Sequence, residues 1–86
     1  MDYTIELTSR ALKDLSRLPR AVRVRIANRI DALADDSRPR GAIKLANADN
    51  LFRIRVGDYR IIYQVDDAVQ VVTVARVKHR QDAYRP

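Results

Sequence analysis

Residues 52–65 read Phe-Arg-Ile-Arg-Val-Gly-Asp-Tyr-Arg-Ile-Ile-Tyr-Gln-Val. Phe52, Ile54 and Val56 alternate with Arg53 and Arg55, the period of two expected of a half-buried strand. Gly57-Asp58 then offers a two-residue connection with glycine first, as a type II′ hairpin turn requires. A second β-rich run, Tyr59 to Val65, follows. This turn predicts that Val56 faces Tyr59, Arg55 faces Arg60 and Ile54 faces Ile61. Arg53, Arg55 and Arg60 then share one face of the hairpin, and the apolar side chains share the other. Like charges directly opposite one another cost a sheet stability. A rigid hairpin with three guanidinium groups on one face therefore gains from an anion, and forked donors fit a phosphate best.

The remaining elements must fit around that hairpin. Tyr3 to Leu7 alternates weakly and reads as a short strand, followed by Thr8 and Ser9 as N-cap candidates. Ala11, Leu12, Leu15 and Leu18 fall at helical spacing, and Pro19 ends that helix and allows a second to begin. In the second helix, Arg20 to Ala34, Val22, Ile26, Ile30 and Leu33 form the apolar stripe. Arg20, Arg23 and Arg29 lie off it, an arrangement that suits either nucleic-acid contact or an ordinary solvated face. Residues 35–41, Asp-Asp-Ser-Arg-Pro-Arg-Gly, are dense in turn formers. Residues 42–50 fit no single element. Asp66-Asp67 reads as a turn and Val69 to Val77 as the third strand of a meander, with Thr73 opposite Arg60 if the turn is two residues long. The tail from Lys78 leaves the sheet in a short helical turn.

The predicted architecture is α+β. An N-terminal strand and a C-terminal three-stranded antiparallel meander share a sheet, a helical hairpin covers one face, and the other face carries the arginines. At 86 residues the chain is expected to be one domain, 1–86. Its net charge of +6, from 17 basic and 11 acidic residues, points to a polyanionic partner. Fourteen of the basic residues are arginine, which binds phosphate in bidentate fashion and stacks on bases. There is no cysteine and only one histidine, His79, so neither a thiolate nor a multi-histidine metal centre can form, and no cofactor is expected. No apolar run approaches membrane-spanning length and the first residues lack signal-peptide character, so a soluble cytoplasmic chain without membrane contact is expected.

Candidate chemistry gathers in the second half. Arg53, Arg55 and Arg60 are joined by Arg76, Lys78, Arg80 and Arg85 near the end of the last strand. Tyr84 follows Arg80 by four residues, which on a helical turn puts both on one side. A tyrosine among guanidinium groups suits base stacking or proton transfer. His79 is the side-chain type that titrates nearest neutrality, although strand alternation turns it away from its neighbours. Tyr59 and Tyr63 alternate inward and read as core or core edge. No glycine-rich phosphate loop, nucleophilic triad or close carboxylate pair is present.

Leu51 to Val65, together with Lys78-His-Arg-Gln-Asp-Ala-Tyr-Arg85 and Ala11-Leu-Lys-Asp-Leu-Ser-Arg-Leu-Pro19, resembles the RelE group of the RelE/ParE toxin superfamily. The resemblance spans essentially the whole chain. It implies the toxin of a type II toxin–antitoxin pair, a metal-independent endoribonuclease that cuts mRNA in the ribosomal A site. The 2′-hydroxyl attacks the neighbouring phosphate and the 5′-oxygen leaves. The family's two basic strand residues fall on Arg53 and Arg55, and its phosphate-stabilising arginine on Arg60. Its basic tail residue, a proton donor, falls on Lys78 or Arg80, and its near-terminal tyrosine on Tyr84. Some members carry lysines at positions 53 and 55. Arginine stays protonated, so here the pair is expected to stabilise charge, leaving Tyr84 or His79 to accept the proton. The implied partners are a RelB-like antitoxin, ribosomal RNA and mRNA, with promoter DNA reached only through the antitoxin. Two other readings remain: a ParE-like toxin that binds DNA gyrase, and a non-catalytic nucleic-acid-binding module.

Overall fold

The computed structural model describes residues 2–46 and 49–83. The elements run β1 (Thr4–Leu7), α1 (Ser9–Ser16), α2 (Arg20–Ala32), β2 (Ile43–Lys44), β3 (Leu51–Val56), β4 (Tyr59–Asp66), β5 (Val71–His79) and α3 (Arg80–Ala83). The five strands form one sheet in the order β1-β5-β4-β3-β2. β1 lies parallel to β5 and all other pairs are antiparallel. The architecture is the expected α+β, with one addition. The ambiguous residues 42–50 contribute β2, a two-residue edge strand along β3. Two residues are too few for any periodicity to show, so only pairing with Arg53 and Phe52 defines it.

α1 and α2 pack on one face of the sheet. Ala11, Ile26, Ile30 and Leu33 pack into one buried cluster with Phe52, Ile54, Ile61, Tyr63, Val65, Val72, Val74 and Val77. Burying each large apolar side chain contributes about 1.5–3 kcal/mol, enough in sum to hold two short helices that would be marginal alone. Leu12, in phase with the α1 stripe by spacing, instead faces out. Phe52 and Tyr63 stack with ring centroids 5.8 Å apart. The Tyr63 hydroxyl is buried and donates to the Ser37 carbonyl at 2.9 Å, which pins the 35–41 loop over the core. Burial pushes the Tyr63 phenol up to about 12. At the same end, Arg38 makes a bidentate pair with Asp67 and lies over the Phe52 ring, and the Tyr3 hydroxyl donates to the same carboxylate. Those two hydrogen bonds hold the Asp67 carboxyl below the usual range.

α1 does the work of a missing strand. β1 ends at Leu7, opposite Val74, so the edge of β5 would otherwise be bare. The Thr8 N–H donates to the Val74 carbonyl at 3.0 Å. The Thr8 hydroxyl donates to the Ala75 carbonyl (2.8 Å) and caps α1 by accepting the Ala11 N–H (3.1 Å). One turn further on, Asp14 accepts the Val77 N–H at 2.9 Å and a bidentate bond from Arg76. Burial raises the Asp14 carboxyl, but these bonds outweigh it and leave the group below its ordinary value.

The register of β5 differs from expectation. The β4–β5 connection spans residues 67–70, not two residues. Asp66 accepts the N–H groups of Ala68 and Val69, and Gln70 takes a φ of 57°, so β5 begins at Val71 rather than Val69. A bulge then follows, because Ile62 pairs with Arg76 but Tyr63 pairs with Val74, leaving Ala75 as the extra residue. Thr73 therefore sits opposite Gln64, and the residue opposite Arg60 is Lys78.

Candidate phosphate-binding site

The face turned away from the helices carries the basic residues. The Gly57-Asp58 turn is two residues long and pairs Val56 with Tyr59, Arg55 with Arg60 and Ile54 with Ile61, as expected from the sequence. Gly57 has φ +59° and Asp58 is not left-handed, which fits a type II′ turn. Register across three strands then places Arg55, Arg60 and Lys78 in one row. The row beside it holds Arg53, Ile62 and Arg76. Side chains opposite one another in adjacent strands lie about 4.5–5.5 Å apart at Cβ, so three cations meet in the first row.

Each of these side chains has a different setting. Arg60, in the middle strand, is only 7% exposed and is the one charged side chain among the described residues in the buried set. Arg55 is exposed, and its Nε donates to the Gly57 carbonyl at 3.2 Å, which folds it back along the turn. Arg53, Arg55 and Arg60 line a cleft of about 150 Å³ closed on its outer side by Gly41 and Ile43 of the β2 edge. Lys78 borders a larger cleft, about 410 Å³, that runs between α1 and the end of β5. Arg80 is exposed at the start of α3, and its N–H donates to the Asp58 carbonyl at 2.6 Å, tying the tail to the hairpin turn.

One expectation changes. Arg76 does not join the phosphate-facing set, because Asp14 claims its guanidinium through Nε and a second nitrogen. His79 turns away from Lys78, in keeping with strand alternation: it lies opposite Tyr59, and the two rings meet edge to face at 5.2 Å. Tyr84 and Arg85 lie outside the described residues. The wall formed by Gly41 and Ile43 was not anticipated. The only sequence hint was a glycine two residues before a β-branched residue in a stretch with no periodicity.

Comparison with known proteins gives this arrangement a family. The family profile described as "ParE toxin of type II toxin-antitoxin system, parDE" matches residues 5–84. Toxin RelG of Mycobacterium tuberculosis is 34% identical over 99% of both chains. The chain belongs to the RelE/ParE superfamily of type II toxins. The fold agrees with the superfamily's solved members. The structure of this toxin superposes on the archaeal RelE–RelB complex from Pyrococcus horikoshii with a TM-score of 0.82 and 33% identity, covering 93% of this chain and 97% of that one. The RelBE2 toxin–antitoxin complex of M. tuberculosis gives a TM-score of 0.80 at 29% identity, covering 93% and 100%. In this toxin Arg53, Arg55, Arg60 and Lys78 share the sheet face turned away from the core, on whose other side α1 and α2 pack.

Proposed function

We propose that this toxin is an mRNA interferase that cleaves mRNA in the ribosomal A site. The observation that carries the reading is the row Arg55–Arg60–Lys78 beside Arg53: Arg53, Arg55 and Arg60 line one phosphate-sized cleft, and Lys78 stands next to Arg60 at its border with the neighbouring cleft. In the proposed reaction the mRNA 2′-hydroxyl attacks the adjacent phosphorus and loses its proton to an acceptor. The bond to the 5′-oxygen breaks, and that oxygen takes a proton, leaving a 2′,3′-cyclic phosphate and a 5′-hydroxyl end. Charge on the phosphoryl oxygens grows as the transition state forms. Arg53, Arg55 and Arg60 stabilise that charge and stay protonated throughout. Lys78 or Arg80 protonates the leaving oxygen. Tyr84 is the proposed acceptor, because His79 faces the opposite side of the strand from Arg60. The chemistry as proposed requires no metal or cofactor.

The proposed partners follow from the relatives. The Pyrococcus and M. tuberculosis structures are complexes of RelE-type toxins with their antitoxins, so a RelB-like antitoxin is proposed to neutralise this chain. Exposed Leu12 and Val24 on the helical layer supply apolar contact points for it. Promoter DNA is reached only through that antitoxin. The site of action is the cytoplasm, where ribosomal RNA and mRNA are found, and no helix among the described residues is long and apolar enough to cross a membrane.

A second reading has one observation in its favour: the matching family profile carries the ParE description. A gyrase poison acts by binding protein and has no need of three cations aligned on one sheet face. The deciding experiment is translation of a defined mRNA on purified ribosomes, with ends mapped by primer extension, beside a gyrase supercoiling assay. Cleavage within the A-site codon is expected. Intact mRNA with inhibited supercoiling replaces the interferase reading by the gyrase one. Intact mRNA with unaffected supercoiling and retained RNA binding leaves a non-catalytic RNA-binding module.

A further inference from the structure

The cleft between α1 and the end of β5 is larger than the arginine cleft, and apart from Lys78 its lining has no part in the reaction just described. We infer that it is a subsite for a nucleotide flanking the scissile phosphate, in which an unpaired RNA base stacks on His79 and the phosphate beside it meets Arg17. This rests on the interferase reading and names how that site holds its substrate.

Three observations point to this ligand. First, the two clefts adjoin: Arg60 lines one, Lys78 lines the other, and the two residues are direct cross-strand partners. A chain of phosphates leaving Arg60 meets Lys78 one strand over, about 5 Å away by sheet geometry. Consecutive phosphates in a single strand lie farther apart than that, so the next one along passes Lys78 into the cleft. Second, beyond Val74 no strand pairs the edge of β5 that faces away from β4, and the cleft lies between that edge and α1, where a nucleic-acid strand can turn in. Third, the lining has the composition that single-stranded binding needs. Arg17 is exposed, Lys78 and His79 are half-buried, and Tyr59 backs the His79 ring edge to face at 5.2 Å. An aromatic pair fixed by its own contact is a preformed stacking surface, and cations around it serve the backbone. Asp14, the one acid in the lining, is committed to Arg76 and the Val77 N–H and so does not repel the phosphate as a bare carboxylate would.

The test uses the full-length protein with programmed ribosomes and with RNA oligonucleotides bearing 2′-deoxyribose at the cleaved position and 2-aminopurine at either neighbouring base. Wild-type protein is expected to quench 2-aminopurine on one side of the scissile position and not on the other. His79→Ala is expected to abolish that quench and raise KM for mRNA cleavage about tenfold, with kcat close to wild type. His79→Phe is expected to restore both, which a loss of folding does not allow. Arg17→Gln, an exposed change remote from the core, is expected to raise KM severalfold. Cleavage by wild type with no quench at either neighbour, or with KM indifferent to His79→Ala and Arg17→Gln, overturns the subsite and leaves the interferase reading standing. Wild-type protein that leaves mRNA whole on the ribosome overturns both.

Discussion

At the scale of the residue, charge and burial settle what each group can do. Arg55 is exposed and makes one bond to its own turn, so its loss disturbs little else. Arg55→Ala is expected to lower cleavage by tenfold or more with thermal stability unchanged, read by primer extension and calorimetry on one preparation. Arg60 is buried in the middle strand, so Arg60→Ala is expected to cost activity and stability together. Tyr63 shows the same logic in the core. Its phenol is raised from 10.0 to about 12 by burial, so the fold favours the neutral form. That contribution is complete below pH 10 and is lost as pH climbs from 10 through 12. Denaturant unfolding of wild type is expected to weaken across this window relative to Tyr63→Phe. Below it, the variant is expected to be less stable by about 0.5–1.5 kcal/mol for the lost bond to Ser37. A gap between the two proteins that is constant from pH 8 to 12 contradicts this account.

At the scale of the element, the junction between α1 and β5 and the β3–β4 turn carry the predictions. Asp14 joins helix to strand with its carboxylate below the ordinary value. A depressed carboxylate stabilises above its unfolded pKa near 3.8–3.9, and the contribution disappears as pH falls through the lower folded value. Asp14→Asn is therefore expected to be destabilised at pH 7 and to converge with wild type as pH falls below the unfolded value, measured by thermal unfolding across pH. Gly57→Ala tests the turn. A Cβ there meets nothing closer than the Arg25 guanidinium at 3.6 Å, so the cost is the positive φ alone, about 1–2 kcal/mol. For a domain of this size that lowers Tm by roughly 4–16 °C. Of these elements, the hairpin was legible from residues 52–65, because alternation and a two-residue turn leave one register. The bulge at Ala75 was not foreseen, although Val72, Val74 and Val77 record it: buried positions two apart, then three apart. β2 left no such trace, since two residues carry no period.

For the whole molecule, the charge of +6 is unevenly placed. Asp66 and Asp67 stand at the end of β4 remote from the Gly57-Asp58 turn, and Arg38 answers Asp67 there. The Arg53–Arg55–Arg60–Lys78 group stands toward the other end of the sheet. Such an arrangement orients an approaching polyanion as well as attracting it. Association with ribosomes is expected to weaken steeply with salt, and Arg53→Gln with Arg55→Gln to reduce the slope of log affinity against log salt by about two. A slope unchanged in the double variant removes these residues from the phosphate-binding face. By itself the sequence determined the α+β class, the apolar face of α2 and the three arginines on one side of a hairpin. These follow from periodicity and turn chemistry, which act over a few residues. Only the tertiary structure decided that Lys78 stands opposite Arg60, that Asp14 claims Arg76, that His79 backs onto Tyr59 and that Ile43 walls the cleft. Each of those depends on how strands far apart in the chain come into register, which local spacing does not encode.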